Sequence, residues 1–531
     1  MVNRRIVSAI VVVASLLVVF GVTIYFNKSK EVTNLNSYSE PLIGVKQDND
    51  PLTSINGDFT LKSDFSSHLP IVIIDTNGEN PPVNTIFNEK TQLYEPIKGL
   101  EPYIEGTIQV LDQGDNLNHL NDTPASQSKM KIKRRGNTSM AYAKPQYLVK
   151  LITQSGQDNE LSLLGMGADN EWVINGSMTD ESMMRNYLSY RISSQFMEYT
   201  PDTKYCEVVI KENEIYTYQG VYLLGESVKQ GEDRVNISKF KSTESYNSYM
   251  VRRDRYDEEN IMLNTYATEN KLSSGYLGLR YPSQYSVTPQ MITYIENDIS
   301  KIEKVIYSNN YSVFSTYPDY INVDSFVDYF LINEFFGNYD AGTNSTYMYK
   351  DIGGKLCIGP VWDFDGAVDN FTEEPMDVSV LAFQTEPWFD RLVTDKSFVE
   401  KLEKRYAKLR RDYLSEENII NTIEQIESYI GPAQEREWTR WNESRQQQKE
   451  FHLKSYVDDD NDNINRGISE YQQSVNKLKT VLRKHGKAIP KRLDVLKGST
   501  VWETNWSSRT ELYILLVVAL FCIPIMYISR N

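Results

Sequence analysis

Apolar positions along this chain follow two different periods. Short apolar runs bounded by turn formers come first. Leu69 to Asp75, Tyr103 to Leu111, Met130 to Arg135, Pro145 to Leu151, Trp172 to Ile174, Cys206 to Lys211 and Tyr216 to Leu224 all read as strands. The last two are spaced as an antiparallel pair. Thr179-Asp180 open a helix to about Phe196, with Met183, Tyr187, Leu188 and Ile192 along one face. A second helix, Val323 to Phe336, carries Phe326, Phe330 and Phe335 and delivers the chain to Asn338. Beyond Gly366 the period becomes helical. Phe398, Leu402, Tyr406, Leu409 and Tyr413 mark one helix, Ile419, Ile423, Ile426 and Ile430 another, and Val475, Leu478 and Leu482 a third. Strands followed by helices imply an α+β fold.

Two runs carry no charge at all. Ile6 to Phe26, 21 residues behind Arg4-Arg5, is long enough to span a bilayer. A cleaved signal peptide is the competitor, but the apolar region is long for one and no Ala-x-Ala site precedes Lys28. Leu512 to Ile528, 17 residues closed by Arg530, is a second span near the lower length limit. Residues 1–5 are then cytoplasmic and the central domain lies outside the cytoplasm, in a protein held at the cell membrane by both ends. Residues 27–66 form a polar tether, and 498–511 a linker to the second span.

Composition narrows the function. Among 531 residues, 36 Tyr, 19 Phe and 7 Trp supply a real core and exclude a disordered chain. A formal charge of -16 argues against nucleic acid as a partner, because phosphates are repelled. Three cysteines make no disulfide framework. Four scattered histidines remove zinc sites and Ser-His chemistry.

Candidate chemistry concentrates between Glu334 and Gly366. Tyr347 to Tyr349 and Leu356 to Ile358 flank a Gly353-Gly354 turn, so a hairpin brings Asp340 and Asn344 toward Asp363 and Asp365. Carboxylates and an amide without histidine suit magnesium and, with a spare carboxylate, phosphoryl transfer. Asp and Asn beside Gly are also ordinary turn formers. Alternation in Met130 to Arg135 sends Lys131, Lys133 and Arg135 to one face, ahead of Gly136-Asn137-Thr138-Ser139. Such a turn cradles phosphate, although lysines also protect solvated edge strands. Lys150, in a strand amid apolar residues, needs a partner anion. The acidic run Asp458 to Asn463 has a calcium loop's composition but lacks its glycine, and reads as a solvated loop.

Five ordered blocks together resemble the CotH kinase family, atypical protein kinases of the spore coat protein H type. They are Arg135-Gly136-Asn137-Thr138-Ser139 with Lys144 and Lys150; Asp180 with Arg185-Asn186; Gly220 to Leu224 with Glu226; Asn338-Tyr339-Asp340 with Asn344; and Pro360 to Asp365. The resemblance implies a two-lobed kinase-like fold, with an N-lobe over 67–228, a C-lobe over 229–395 and a helical part over 396–497. It implies ATP with Mg2+ or Mn2+ as cofactors, and Ser or Thr of a protein, such as a spore coat or envelope protein, as acceptor. Asp340 then accepts the hydroxyl proton, and Asn344 and Asp363 hold the metal, with Asp365 able to share it. Lys150 steadies the phosphates with Lys144 as its rival. Arg135 and the turn at Ser139 lie over the phosphates, and Glu226 lies at the nucleotide-facing connector. Asn338-Tyr339-Asp340 stands where ordinary kinases have His-Arg-Asp, and no Gly-x-Gly-x-x-Gly loop is present. A surface assembly or adhesion protein retaining such a fold without catalysis is the alternative.

Overall fold

A computed structural model describes Tyr38, Leu42 and residues 52–502 apart from 84, 89–92, 98–102, 137, 245, 258–259, 371–374 and 453–463. Both charge-free runs and the acidic run Asp458 to Asn463 lie outside the described residues. Among those described, no helix is long and apolar enough to cross a membrane.

Seven strands close into a barrel. They are β1 (Ile71–Asp75), β2 (Ile104–Leu111), β3 (Ser126–Arg134), β4 (Tyr147–Ile152), β5 (Glu171–Asn175), β6 (Thr203–Glu212) and β7 (Ile215–Glu226), with helix α1 (Arg185–Ser193) between β5 and β6. The order is β6-β7-β5-β4-β3-β2-β1, and a parallel pairing of β1 with β6, Ile71 opposite Glu207, closes it. Period-two alternation builds the interior. Tyr147, Val149 and Leu151 of β4 point inward among Val72, Ile74, Ile108, Met130, Ile132, Trp172 and Val208. Leu148 and Lys150 therefore face outward, with Lys150 opposite Glu171 in register.

The helix expected from Thr179-Asp180 starts later, at Arg185. Asp180 explains the delay: its carboxylate takes the N–H groups of Ser182 (3.1 Å) and Arg185 (2.8 Å), and Met183 sits at φ 61°. Residues 180–184 thus form an anchored turn rather than helix.

A second body follows. Strands β8 (Tyr249–Asp254), β9 (Tyr276–Tyr281), β10 (Thr346–Lys350) and β11 (Cys357–Ile358) make an antiparallel sheet in the order β9-β8-β10-β11. The expected hairpin is β10 with β11, Met348 opposite Ile358. Helices α2 (Pro289–Ile306), α3 (Val323–Phe336), α4 (Lys396–Leu409), α5 (Glu416–Ile430), α6 (Ala433–His452) and α7 (Tyr471–Gly498) complete the chain. The phenylalanines of α3 are fully buried, and Gly337 (φ 58°) ends the helix in the left-handed conformation a glycine takes without strain. The architecture is mixed α+β.

Helix α6 was not anticipated, because its sequence is mostly polar. Burial of ion pairs and indoles fastens it instead. Arg436 makes a bidentate pair with Glu207 of β6 (2.8 and 2.9 Å), and Trp441 donates to the Gln219 carbonyl (2.7 Å).

Candidate active site

Two loops of the second body meet the first helix of the barrel lobe. Asp340 follows α3 after three residues, and its Oδ1 accepts a 2.7 Å bond from the Asn344 amide. That donation leaves Asn344 Oδ1 as the free acceptor of the amide. Burial raises the Asp340 carboxyl above its ordinary range, while Asn344 and Arg255 hold it down and Asp254 adds to the rise.

Asp363 comes from the loop after β11, at φ 62°. Its N–H donates to the Tyr190 hydroxyl (3.2 Å), and its Oδ2 lies 3.4 Å from Ser345 Oγ. Burial pushes its pKa to about 6, with the negative charge of Asp340 as the next cause and the Arg135 guanidinium opposing both. The charge of Asp340, from the other loop, thus reaches Asp363. Asp365 is pushed to about 7, by burial first and by Asp363 next, against Ser177 and Arg135. Ser177 Oγ donates to it at 2.7 Å, and the Asn186 amide donates to the same oxygen. Asn186 Oδ1 accepts the Phe364 N–H at 2.7 Å, so one amide of α1 grips the Asp-Phe-Asp turn from both sides. Arg185, almost wholly buried, pairs with Asp180 (2.5 Å) and donates to the Ala367 carbonyl (2.8 Å), fixing the chain beyond that turn.

Arg135 reaches this space from the end of β3. Its guanidinium donates to Gln146 (2.9 Å), lies 5.6 Å from the centre of the Trp362 ring and lowers the pKa of both Asp363 and Asp365. Gly136 beside it has φ +112°, and a Cβ there would stand 1.8 Å from Ser139 Oγ. The turn thus folds Ser139 back over the one residue without a side chain.

The two lysines part company. Lys150 keeps 39% of its side chain exposed, 3.5 Å from Glu171 and beside the Tyr103 ring. Lys144 is fully buried: Nζ donates to the Val221 carbonyl (2.7 Å) and to Glu437 (2.8 Å), and Asp365 is among the charges acting on it. Glu226 is engaged inside the protein, accepting from Arg234 (2.5 Å), the Tyr199 hydroxyl (2.9 Å) and the Asp202 N–H (2.9 Å). Burial pushes its pKa to about 7.

The chain belongs to the CotH kinase protein family. The family's model matches residues 132–489, more than half of the chain. No curated protein matches it. The match takes in Arg135, Lys144, Lys150, Glu226, Asp340, Asn344, Asp363, Asp365 and Glu437.

Does the donor set of this CotH-family site suit a nucleotide-bound cation? Among the described residues no three His, Cys, Asp or Glu side chains gather closely enough to hold a metal by themselves. Magnesium with a nucleotide takes much of its shell from phosphate and water, and one or two carboxylates suffice. Asp363, Asp365 and Asn344 Oδ1 are oxygen donors of the kind such a cation takes, and Arg135 is the cation whose charge acts on both aspartates. Sequence reasoning missed Asp254, Ser177, Tyr190, Ser345 and Glu437. Asp254 ends β8, inside an Arg-Arg-Asp-Arg stretch that reads as surface charge, and only the sheet carries it toward Asp340 and Asp363.

Proposed function

We propose that this chain is a metal-dependent protein kinase that transfers the ATP γ-phosphoryl group to Ser or Thr of a protein. What supports the reading is the gathering of Asp363 and Asp365 on one turn held by Ser177 and Asn186, with the Arg135 guanidinium opposing the rise of both and the charge of Asp340, from a different loop, adding to the rise of Asp363. ATP supplies the phosphoryl group, and the divalent cation neutralises charge on it. In this reading Asp363 and Asp365, with Asn344 Oδ1, hold the cation. Arg135 and the turn at Ser139 cover the phosphates from the barrel side, and Lys144 faces them from β7's flank.

Asp340 is the base. Its Oδ1 is held by Asn344, so Oδ2 is left for an acceptor hydroxyl, whose proton passes to that oxygen as the new O–P bond forms and the bond from the γ-phosphorus to the bridging oxygen breaks, releasing ADP. Burial raises its pKa, which makes it a better proton acceptor than an exposed carboxylate, while Asn344 and Arg255 oppose that rise. Trp362, Phe364 and Tyr190 pack around the Asp-Phe-Asp turn and limit water there. Anchoring of the domain at a membrane, on its extracytoplasmic face, with spore coat or envelope proteins as acceptors, completes the proposal.

The test is incubation of the protein with labelled ATP and Mg2+ or Mn2+. Phosphate incorporated by wild type and lost in Asp363→Ala supports the kinase. Equal signals from the two remove it, and an absent thermal shift with ATP and metal favours the non-catalytic assembly protein.

A further inference from the structure

We infer that Arg252, Arg255 and Arg280 form an anion subsite for the acceptor chain, fitted to a phosphate ester that an earlier transfer has left beside the acceptor hydroxyl. This rests on the kinase reading of the neighbouring site.

Strand β8 alternates. Val251 and Arg253 are buried, while Arg252 turns to the other face, with Tyr347 of β10 and Gly278 of β9 opposite it in register. On β9, Leu277 and Leu279 fill the core, so Arg280 shares the face of Arg252. Two guanidiniums thus lie near one another on adjacent strands. The charge of Arg252 reaches Arg280 and, after burial, helps bring its pKa down to about 10.

Like charges on neighbouring strands oppose each other. Asp254 and Asp257 are the carboxylates acting on both arginines, yet neither guanidinium is fully engaged. Arg252 Nε lies 3.0 Å from Asp254 Oδ2 without a hydrogen bond to it. Arg280 makes one long bond, from Nη1 to Asn260 Oδ1 at 3.3 Å. The Nε of each is buried and donates to nothing among the described residues. Both side chains are nonetheless only half-buried, with 23% of Arg252 exposed, so an anion from outside reaches them.

Asp254 adjoins the base as well. Its Oδ1 accepts the Arg255 N–H at 2.8 Å, and its charge falls on Asp340 and Asp363. Arg252 lies 5.9 Å from the centre of the Tyr347 ring, which meets Trp362 edge-on at 6.5 Å, beside Asp363. The cations divide between the two sides of the cleft. Arg135 acts on Asp363 and Asp365, the metal side, whereas exposed Arg255 acts on Asp340, where the hydroxyl is received. In a chain of net charge -16 an acidic acceptor is repelled by most of the surface, so these arginines mark a place that holds an anion. An arginine fork matches phosphate oxygens, and a phosphate ester brings up to two charges for two forks to share. The proposed reaction makes such an ester on Ser or Thr.

The test uses the full-length protein and two sets of degenerate peptides. Each has one fixed Ser, and the second also has a phosphoserine fixed at each neighbouring position in turn. With ATP and Mg2+ or Mn2+, phosphoserine at the favoured position should lower the peptide KM about tenfold or more. Asp there should do less, since it brings one charge. Arg252→Gln and Arg280→Gln should each remove most of the preference, and Arg280→Lys should keep only part, because an ammonium has the charge without the fork. Equal transfer to the two sets by wild type overturns the inference, whether or not any variant folds. So does Asp that matches phosphoserine, or a folded double Gln variant that keeps the preference. A variant whose KM for ATP rises while the preference stays assigns the arginines to the nucleotide and overturns it too. Wild type that transfers to neither set removes the kinase reading itself, whereas wild type that transfers to both alike removes only the subsite.

Discussion

Replacing Asn186 with alanine removes one amide and two bonds. The first is the 2.7 Å bond that Asn186 Oδ1 accepts from the Phe364 N–H. Phe364 is fully buried, so water does not take over, and an orphaned buried N–H costs about 1–3 kcal/mol. The second is the bond the amide donates to Asp365, charge-assisted and worth about 1.5–3 kcal/mol in general. Asp365 keeps Ser177 and is only partly buried, so the upper end of that range does not apply. A loss of about 2–4 kcal/mol follows for the native state. Denaturant unfolding measures it, and phosphoryl transfer measured at a denaturant-free, fully folded temperature should fall as well, since the Asp-Phe-Asp turn is released at its centre. Asn186→Asp makes the reasoning sharper. It sets a carboxylate against Asp365, so it should be no better than alanine at about pH 8 and should recover below about pH 6, when one of the two carboxyls takes a proton and donates to the other. An alanine variant as stable and as active as wild type would refute this account of the turn.

Asp340→Asn should lower phosphoryl transfer by about 10²–10⁴-fold with ATP affinity nearly kept, since the base is lost but not the cleft; a quantitative transfer assay that shows less than a few-fold change contradicts the assignment. The same variant removes the charge that helps raise Asp363, so the Asp363 pKa should drop, which carboxylate NMR titration would detect. His485 bonds acceptors at both ring nitrogens, Val378 O at 3.0 Å and Glu334 O at 2.7 Å, and is therefore an imidazolium. Its folded pKa is raised, chiefly by Glu334 against the opposing effect of burial, so its contribution to stability is complete below about pH 6.5 and is lost as pH rises through the folded value. Unfolding free energies across that window should show the slope in wild type and lose it in His485→Gln; parallel curves would tell against the imidazolium. Gly136→Ala forces a Cβ into Ser139 Oγ and a left-handed backbone, so the KM for ATP should rise while the core stays folded, and an unchanged KM would mean the turn does not cover phosphate.

Much of this fold was legible locally. The barrel strands announced themselves as short apolar runs bounded by turn formers, since each buries a face against a shared interior, and α3 by phenylalanines at helical spacing. The hairpin between the Asp340 and Asp363 loops was legible as well, because two short apolar strands flank a Gly-Gly turn. The start of α1 was not. Asp180 competes with the helix for the N–H groups of Ser182 and Arg185, and that contest depends on where Arg185 must reach to hold the Ala367 carbonyl.

Hydrophobic periodicity, turn residues and the order of the motif blocks, all written in the chain, determined the class of fold, the family and the acidic loops. Tertiary structure alone decided which lysine is enclosed and what encloses it. Lys150 looked placed for phosphate because it lies in an apolar strand, but barrel closure turns its side of β4 outward to Glu171. Lys144 meets Glu437 across 293 residues, through a helix with no apolar stripe to advertise it. Apolar burial repeats along a helix or strand and leaves a period in the sequence. A single charge pair across the fold repeats nothing, so it becomes visible only once the chain has brought its two halves together.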